Sequence, residues 1–226
     1  MARVFSFNRD GPGAFVRRGS SGASPRWLSL ALIAAFICSP TPLVAIIVSP
    51  TNQDIERALK LGRSAEALRA RFHARYVLPV QDPIVREIEV ITEFRRFVLK
   101  TEERARLGDR MFAESVRQAQ EALRPSRGRL SVVAHFQFGP LNTYTAVPAI
   151  VLLVAGRPEI DAIEGNVTPI WSHPFETRNG PSTYLMGATL QMDFDASSVG
   201  QTERPVSVFL DGRELTRVTI DFATLE

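Results

Sequence analysis

Apolar and polar residues change their period twice along this chain, and the changes divide it into three stretches. The first has no period. Trp27 to Cys38 is apolar except for Ser29, Pro40 and Pro42 then break the run, and a shorter apolar run follows from Leu43 to Val48. Behind a basic segment, the first run has the length of a signal-peptide core. Together the two runs reach the roughly 20 residues that a membrane-spanning helix needs. Two outcomes follow from this pattern. Either the leader is cleaved near Ala45, although Leu43 is large for the minus-three position, or residues 27–48 stay as a kinked single-pass anchor with the Arg-rich end in the cytoplasm. Both put the body in the periplasm or cell envelope. A buried core helix is disfavoured, because each proline would remove a helical hydrogen bond. Ile37 ahead of Cys38 argues against lipidation, and Gly19-Ser20-Ser21 after Arg17-Arg18 argues against a twin-arginine signal.

From Thr51 the period is helical. Thr51 and Asp54 have capping-box spacing ahead of Ile55, Ala58 and Leu59, and Gly62 ends that helix. Ser64 is placed to cap a second helix with Ala65, Leu68 and Phe72 inward, running to about Tyr76. Asp82-Pro83 reads as the start of a long helix to about Leu107, with Ile84, Ile88, Ile91 and Val98 at helical spacing and Val85, Phe94 and Phe97 widening the stripe. Gly108-Asp109 stops it and caps another, with Met111, Phe112, Val116, Ala119 and Leu123 on one face, ending at Pro125. The last two helices are expected to form an antiparallel hairpin. Arg86, Arg95, Arg96, Lys100 and Arg104 interleave with Glu87, Glu89, Glu93, Glu102 and Glu103, which predicts a solvated face of helical ion pairs.

After Ser126-Arg127-Gly128 the period becomes two. Leu130, Val132, Ala134, Phe136 and Phe138 alternate with Ser131, His135 and Gln137. A strand region from Asn142 to Ala155 follows, interrupted at Pro148. Tyr184 to Phe194 alternates most cleanly, opposite a polar face of Thr189, Gln191 and Asp193. Val206, Val208 and Leu210, then Asp211-Gly212, then Val218, Ile220 and Phe222 predict a hairpin with a primed turn, and the out-of-phase Leu215 predicts a bulge. The expected fold class is α+β, with a leader (1–50), a helical-hairpin region (51–128) and an antiparallel β-sandwich-like domain (129–226).

Charge changes this picture little until it is located. The net charge of +3 comes from a leader with five arginines against Asp10, and the rest of the chain has 22 basic and 23 acidic side chains. Residues 51–129 carry 17 basic and 12 acidic side chains and residues 130–226 carry 5 and 11, so two faces of opposite bias are expected to attract each other where they pack. The acidic interleaving of the basic half argues against a nucleic-acid surface. Cys38 is the only cysteine and lies in the leader, so the body has no disulfide, thiol nucleophile or thiolate metal site.

No motif specifies a reaction or calls for a cofactor. His73, His135 and His173 lack metal-ligand spacing. His173 is the candidate catalytic residue, because Trp171-Ser172-His173-Pro174-Phe175 sets it among aromatics in a loop, and Ser172 with Asp161 or Glu164 would complete a triad on paper. Asp193 and Asp195 are the candidate cation ligands, on the same side of a strand end, although a calcium site needs further oxygens. Asn166-Val167-Thr168 matches a glycosylation sequon. The expectation is an exported or membrane-anchored, non-catalytic interaction module whose partner is an envelope protein or polymer. An extracytoplasmic hydrolase or carbohydrate-active module is the alternative.

Overall fold

The computed structural model describes residues 49–226, apart from 110, 143, 157–159 and 179; the leader, with the expected signal or anchor segment, lies outside the described residues. Helices α1 (Asn52–Gly62) and α2 (Glu66–His73) come first, followed by strands β1 (Val77–Pro79) and β2 (Val85–Ile91), then α3 (Glu93–Arg106) and α4 (Val116–Leu123). Strands β3 (Arg129–Gln137), β4 (Ile150–Val154), β5 (Glu164–Trp171), β6 (Phe175–Thr177), β7 (Gly180–Ser182) and β8 (Leu185–Asp195) follow. A short helix α5 (Ala196–Val199) precedes β9 (Glu203–Leu210) and β10 (Arg213–Asp221). The strands form a five-stranded sheet in the order β1-β2-β3-β8-β5, a three-stranded sheet β10-β9-β4 and the hairpin β6-β7, all antiparallel. The fold is therefore mixed helix and antiparallel sheet.

One hydrophobic cluster joins these elements. Ile55, Ala58 and Leu59 of α1 and Phe94, Phe97 and Val98 of α3 meet Ile88, Val90, Leu130, Val132, Ala134, Leu190 and Phe194 of the large sheet, together with Leu152, Val206, Val208 and Ile220 of the small one. Helices α1 and α3 pack closely at Gly62, where an added Cβ would lie 2.6 Å from Thr101 Cβ and 2.8 Å from the carbonyl oxygen of Val98.

Several expectations hold. Thr51 and Asp54 form a reciprocal capping box. The turn Asp211-Gly212 has φ of 48° and 78°, as a primed turn requires, and the bulge falls between Glu214 and Thr216. Other expectations fail for local reasons. The long helix from Asp82 does not form, because Val85–Ile91 is a strand inside the stretch expected to be helical. Asp82 does accept main-chain N–H groups, from Ile84 at 2.8 Å and Val85 at 2.9 Å, but as a turn that launches β2. A bulge between Val85 and Glu87 puts Val85 and Ile88 on one face three residues apart, so that a strand mimics helical spacing. The helix begins instead at Thr92, whose hydroxyl accepts from Arg95 N–H at 3.2 Å. The second helix has Ala65 rather than Ser64 at its N-cap position, with no side-chain cap, and Ala65 and Leu68 are exposed, leaving Phe72 as its buried residue. Of the region from Asn142 to Ala155, Ile150–Val154 forms a strand.

Candidate functional site

The large sheet has one apolar face in the core and one polar face. Register places Glu87 and Glu89 of β2, Ser131, Val133 and His135 of β3, Thr189, Gln191 and Asp193 of β8, and Glu164 and Asn166 of β5 on the polar face. Val133 is buried there, outside the main cluster. Thr92 alone separates β2 from α3, whose first turn brings Arg95 and Arg96 to the polar side chains of this face.

Arg95, expected to be solvated, is 2% exposed. Its guanidinium donates to Glu89 Oε1 at 2.5 Å, to the Val90 carbonyl at 2.6 Å and to His73 Nδ1 at 3.3 Å, and it lies 4.9 Å from the Tyr76 ring centroid. His73 Nε2 donates to Glu102 Oε1 at 2.6 Å, and Arg69 Nε approaches Glu102 Oε2 at 3.5 Å. On the other side, His135 Nε2 donates to Glu89 Oε2 at 3.2 Å, and Thr189 Oγ1 lies 3.4 Å from His135 Nδ1. A continuous polar chain thus runs from Arg69 on α2 to Thr189 on β8. Arg96 starts a second chain. It donates to Ser131 Oγ and lies 3.7 Å from Asp193 Oδ1, Ser131 donates to Asp193, and Arg129 lies 3.7 Å from Asp193 and 2.9 Å from Glu164.

The electrostatics follow from burial set against partners. Burial works against the Glu89 carboxylate, but the hydrogen bond from His135 and the charge of Arg95 outweigh it, so its pKa lies below the ordinary value. The hydrogen bond to Glu89 raises His135 despite burial. Burial lowers both Arg95 and Arg96, with Glu89 and Asp193 opposing it. Burial also pushes the Tyr76 phenol up to about 12. The opposite biases of the two halves meet in ion pairs: Arg57 and Arg75 contact Glu226 at 3.3 and 3.8 Å, besides Arg96 with Asp193.

The residues singled out from the sequence sit elsewhere or are otherwise engaged. His173 is exposed between β5 and β6, whereas Glu164 starts β5 and is paired with Arg129. A strand of that length separates them by roughly 20 Å, and Asp161 precedes β5 on the same far side, so this triad does not assemble. Asp193 is occupied by Ser131, Gln191 and two arginines, and Asp195 caps α5 through Ser197, so they do not converge on a shared cation. Among the described residues no group of three or more His, Cys, Asp and Glu has metal-binding geometry. The sequon residue Asn166 lies on β5 beside a shallow cleft of about 210 Å³ shared with Glu164, Gln191 and Asp193.

Thr189, His135 and Glu89 have the hydroxyl, imidazole, carboxylate order of a hydrolytic relay. Their strands lie inside the sheet, however, where ladder bonds consume the main-chain amides that would have to hold an oxyanion. The network ties helices to the sheet face. Sequence reading missed it; the one local signal was Glu87 and Glu89 alternating with Ile88 and Val90.

The edge of the same sheet is a different kind of surface. Every residue of β5 is exposed, including Val167 at 37%, Ile170 at 46% and Trp171 at 42%, and Ile163, Phe175 and Met186 extend the apolar character around it. Phe138 N–H donates to the Met186 carbonyl, which fixes even-numbered β8 residues toward β3 and odd ones toward β5. Through the β5 register, Glu164, Asn166, Thr168 and Ile170 then bond to β8, and Gly165, Val167 and Pro169 turn their main-chain groups outward. Pro169, having no N–H, sits where a strand tolerates it. Between Glu164 and Ile170, ahead of the register shift at Trp171, the open edge therefore presents two N–H donors, of Gly165 and Val167, and three carbonyls.

Compared with protein-family models, curated proteins and solved structures, the chain matches none of them.

Proposed function

We propose that the protein is a non-catalytic interaction module of the cell envelope that takes an extended segment of a partner protein as an added strand along β5. The observation that supports this most is the eight-residue edge strand, exposed throughout, carrying Val167, Ile170 and Trp171 and having Glu164 as its one charged residue. Natural edges are ordinarily protected by lysines, bulges or a covering element, and an apolar unprotected edge is a template for pairing. Strand addition draws affinity from main-chain bonds and specificity from alternate side chains. The acidic bias of residues 130–226 favours a segment with basic flanks, with apolar residues at alternate positions facing Val167 or Ile170.

The leader supports the envelope location. It is outside the described residues, among which no helix is long and apolar enough to cross a membrane. Whether residues 27–48 are cleaved or retained is read by the intact mass of the protein in membrane and soluble fractions.

Val167→Pro removes one of the outward donors without touching a bond to β8. With a photo-crosslinking amino acid at Ile170, the native strand is expected to give one discrete adduct, mapped to an extended partner segment, which the proline variant loses. An adduct that survives the proline overturns strand addition. The hydrolase reading now has its geometric support at Thr189, His135 and Glu89 rather than at His173. Turnover of a glycan or ester substrate that is abolished by His135→Ala would replace the interaction reading.

A further inference from the structure

Helix α4 and the turn after it carry Arg117, Arg124 and Arg127 against Glu121 alone, and Arg129 opens β3. Arg129 is engaged with Glu164 and Asp193, but Arg117, Arg124 and Arg127 are exposed. Among the described residues, Arg124 reaches a carboxylate only at the equally exposed Glu121, 3.6 Å away, and no ion pair engages Arg117 or Arg127. The three guanidiniums border one open cleft of about 320 Å³, floored by Ile55, Phe97 and Leu123. Glu93 also lines it, 7% exposed, with its carboxylate held by the Gly128 N–H at 2.9 Å.

Pro50 is part of the same cleft and stands two residues beyond the apolar run that ends at Val48. Two residues of extended chain cover about 7 Å, so an anchor ending at Val48 would hold this rim at the bilayer surface. We infer that the Arg117, Arg124 and Arg127 rim docks onto the anionic phosphate headgroups of the membrane in which residues 27–48 are anchored. The inference rests on the envelope reading, and specifically on its anchored form. Positive charge beside the point where the chain leaves the membrane is complementary to the phosphates of anionic lipid in that leaflet; the forks of Arg117 and Arg127, which no ion pair engages among the described residues, and that of Arg124, shared only with the exposed Glu121, match phosphate oxygens. Docking here leaves β5 free for its partner strand, because β5 lies at the sheet edge and contributes nothing to this cleft.

The test uses the full chain reconstituted into vesicles of phosphatidylcholine alone or with about one quarter phosphatidylglycerol, followed by hydrogen exchange. Amides of Val116–Leu123 are expected to exchange at least about tenfold more slowly on the anionic vesicles, since each arginine near the surface contributes about fivefold to the affinity. High salt should abolish the difference. A variant with Arg117→Gln, Arg124→Gln and Arg127→Gln should lose it while β3 and β8 exchange as in the native protein, which controls for folding. Equal exchange on both vesicles with the leader intact by mass overturns headgroup docking and leaves the anchor standing. A leader found cleaved near Ala45 overturns the anchored reading and the docking with it.

Discussion

Replacing Arg95 by Met removes the centre of the polar chain and nothing of comparable volume from the core. The guanidinium is 2% exposed and makes bonds of 2.5 Å to Glu89, 2.6 Å to the Val90 carbonyl and 3.3 Å to His73. Without it, Glu89 retains His135 as a partner, but the Val90 carbonyl and His73 Nδ1 lose their donor. Breaking a buried pair by removing one partner costs about 3–5 kcal/mol. Because the Glu89 side chain is 20% exposed and partly hydrated, the lower end, about 3 kcal/mol, is expected. For a domain of this size that lowers Tm by roughly 6–12 °C. Urea unfolding followed by circular dichroism measures the loss. Adding Glu89→Leu removes the stranded carboxylate and should return about 1.5 kcal/mol or more, a coupling that a double-mutant cycle isolates. A single variant within about 1 kcal/mol of the native protein, or strict additivity in the double, would refute the network as drawn.

Gly62→Ala sets a methyl group against Thr101 and the Val98 carbonyl and should cost about 1–3 kcal/mol in the same unfolding assay, unlike Gly139→Ala, where nothing lies within 4 Å. Tyr76 should titrate near pH 12 in an absorbance titration; its raised value also means that stability is lost as pH rises from about 10 through 12. The Glu89 and His135 pair gives opposite signs at its two limits. Raised His135 contributes stability that is complete below about pH 6.5 and is lost as pH rises through its folded value, while lowered Glu89 contributes stability above about pH 4.5 that is lost as pH falls through its own. Urea midpoints across pH should therefore fall on both sides of this window, and His135→Gln should flatten the alkaline side.

Where structure depends on neighbours in the chain, the sequence was legible. The capping box at Thr51, the alternation of β3 and β8 and the primed turn at Asp211-Gly212 are all written within a few residues. The strand β2 was hidden because its bulge puts Val85 and Ile88 on one face at the three-residue spacing of a helix, and because Asp82-Pro83 serves a turn as readily as a helix start. The candidate site was hidden for a different reason. Arg95 and Arg96 read as surface charges, since their burial depends on Glu89 across the turn, on Ser131 and on Asp193 far along the chain. His135 meets Glu89 and Thr189 at separations of 46 and 54 residues, which no local pattern encodes. The opposed charge of the two halves was the one long-range signal, and the pairs of Arg96 with Asp193 and Arg57 with Glu226 realise it.

The central claim is that β5 accepts a strand, and amide exchange along β5 in the envelope fraction, set against the purified protein, tests it most directly. The account predicts slowing of about tenfold or more at Gly165 and Val167, whose N–H groups face outward, with Asn166 and Thr168 unchanged because β8 already holds them. Equal rates at Gly165 and Val167 in both preparations would contradict it.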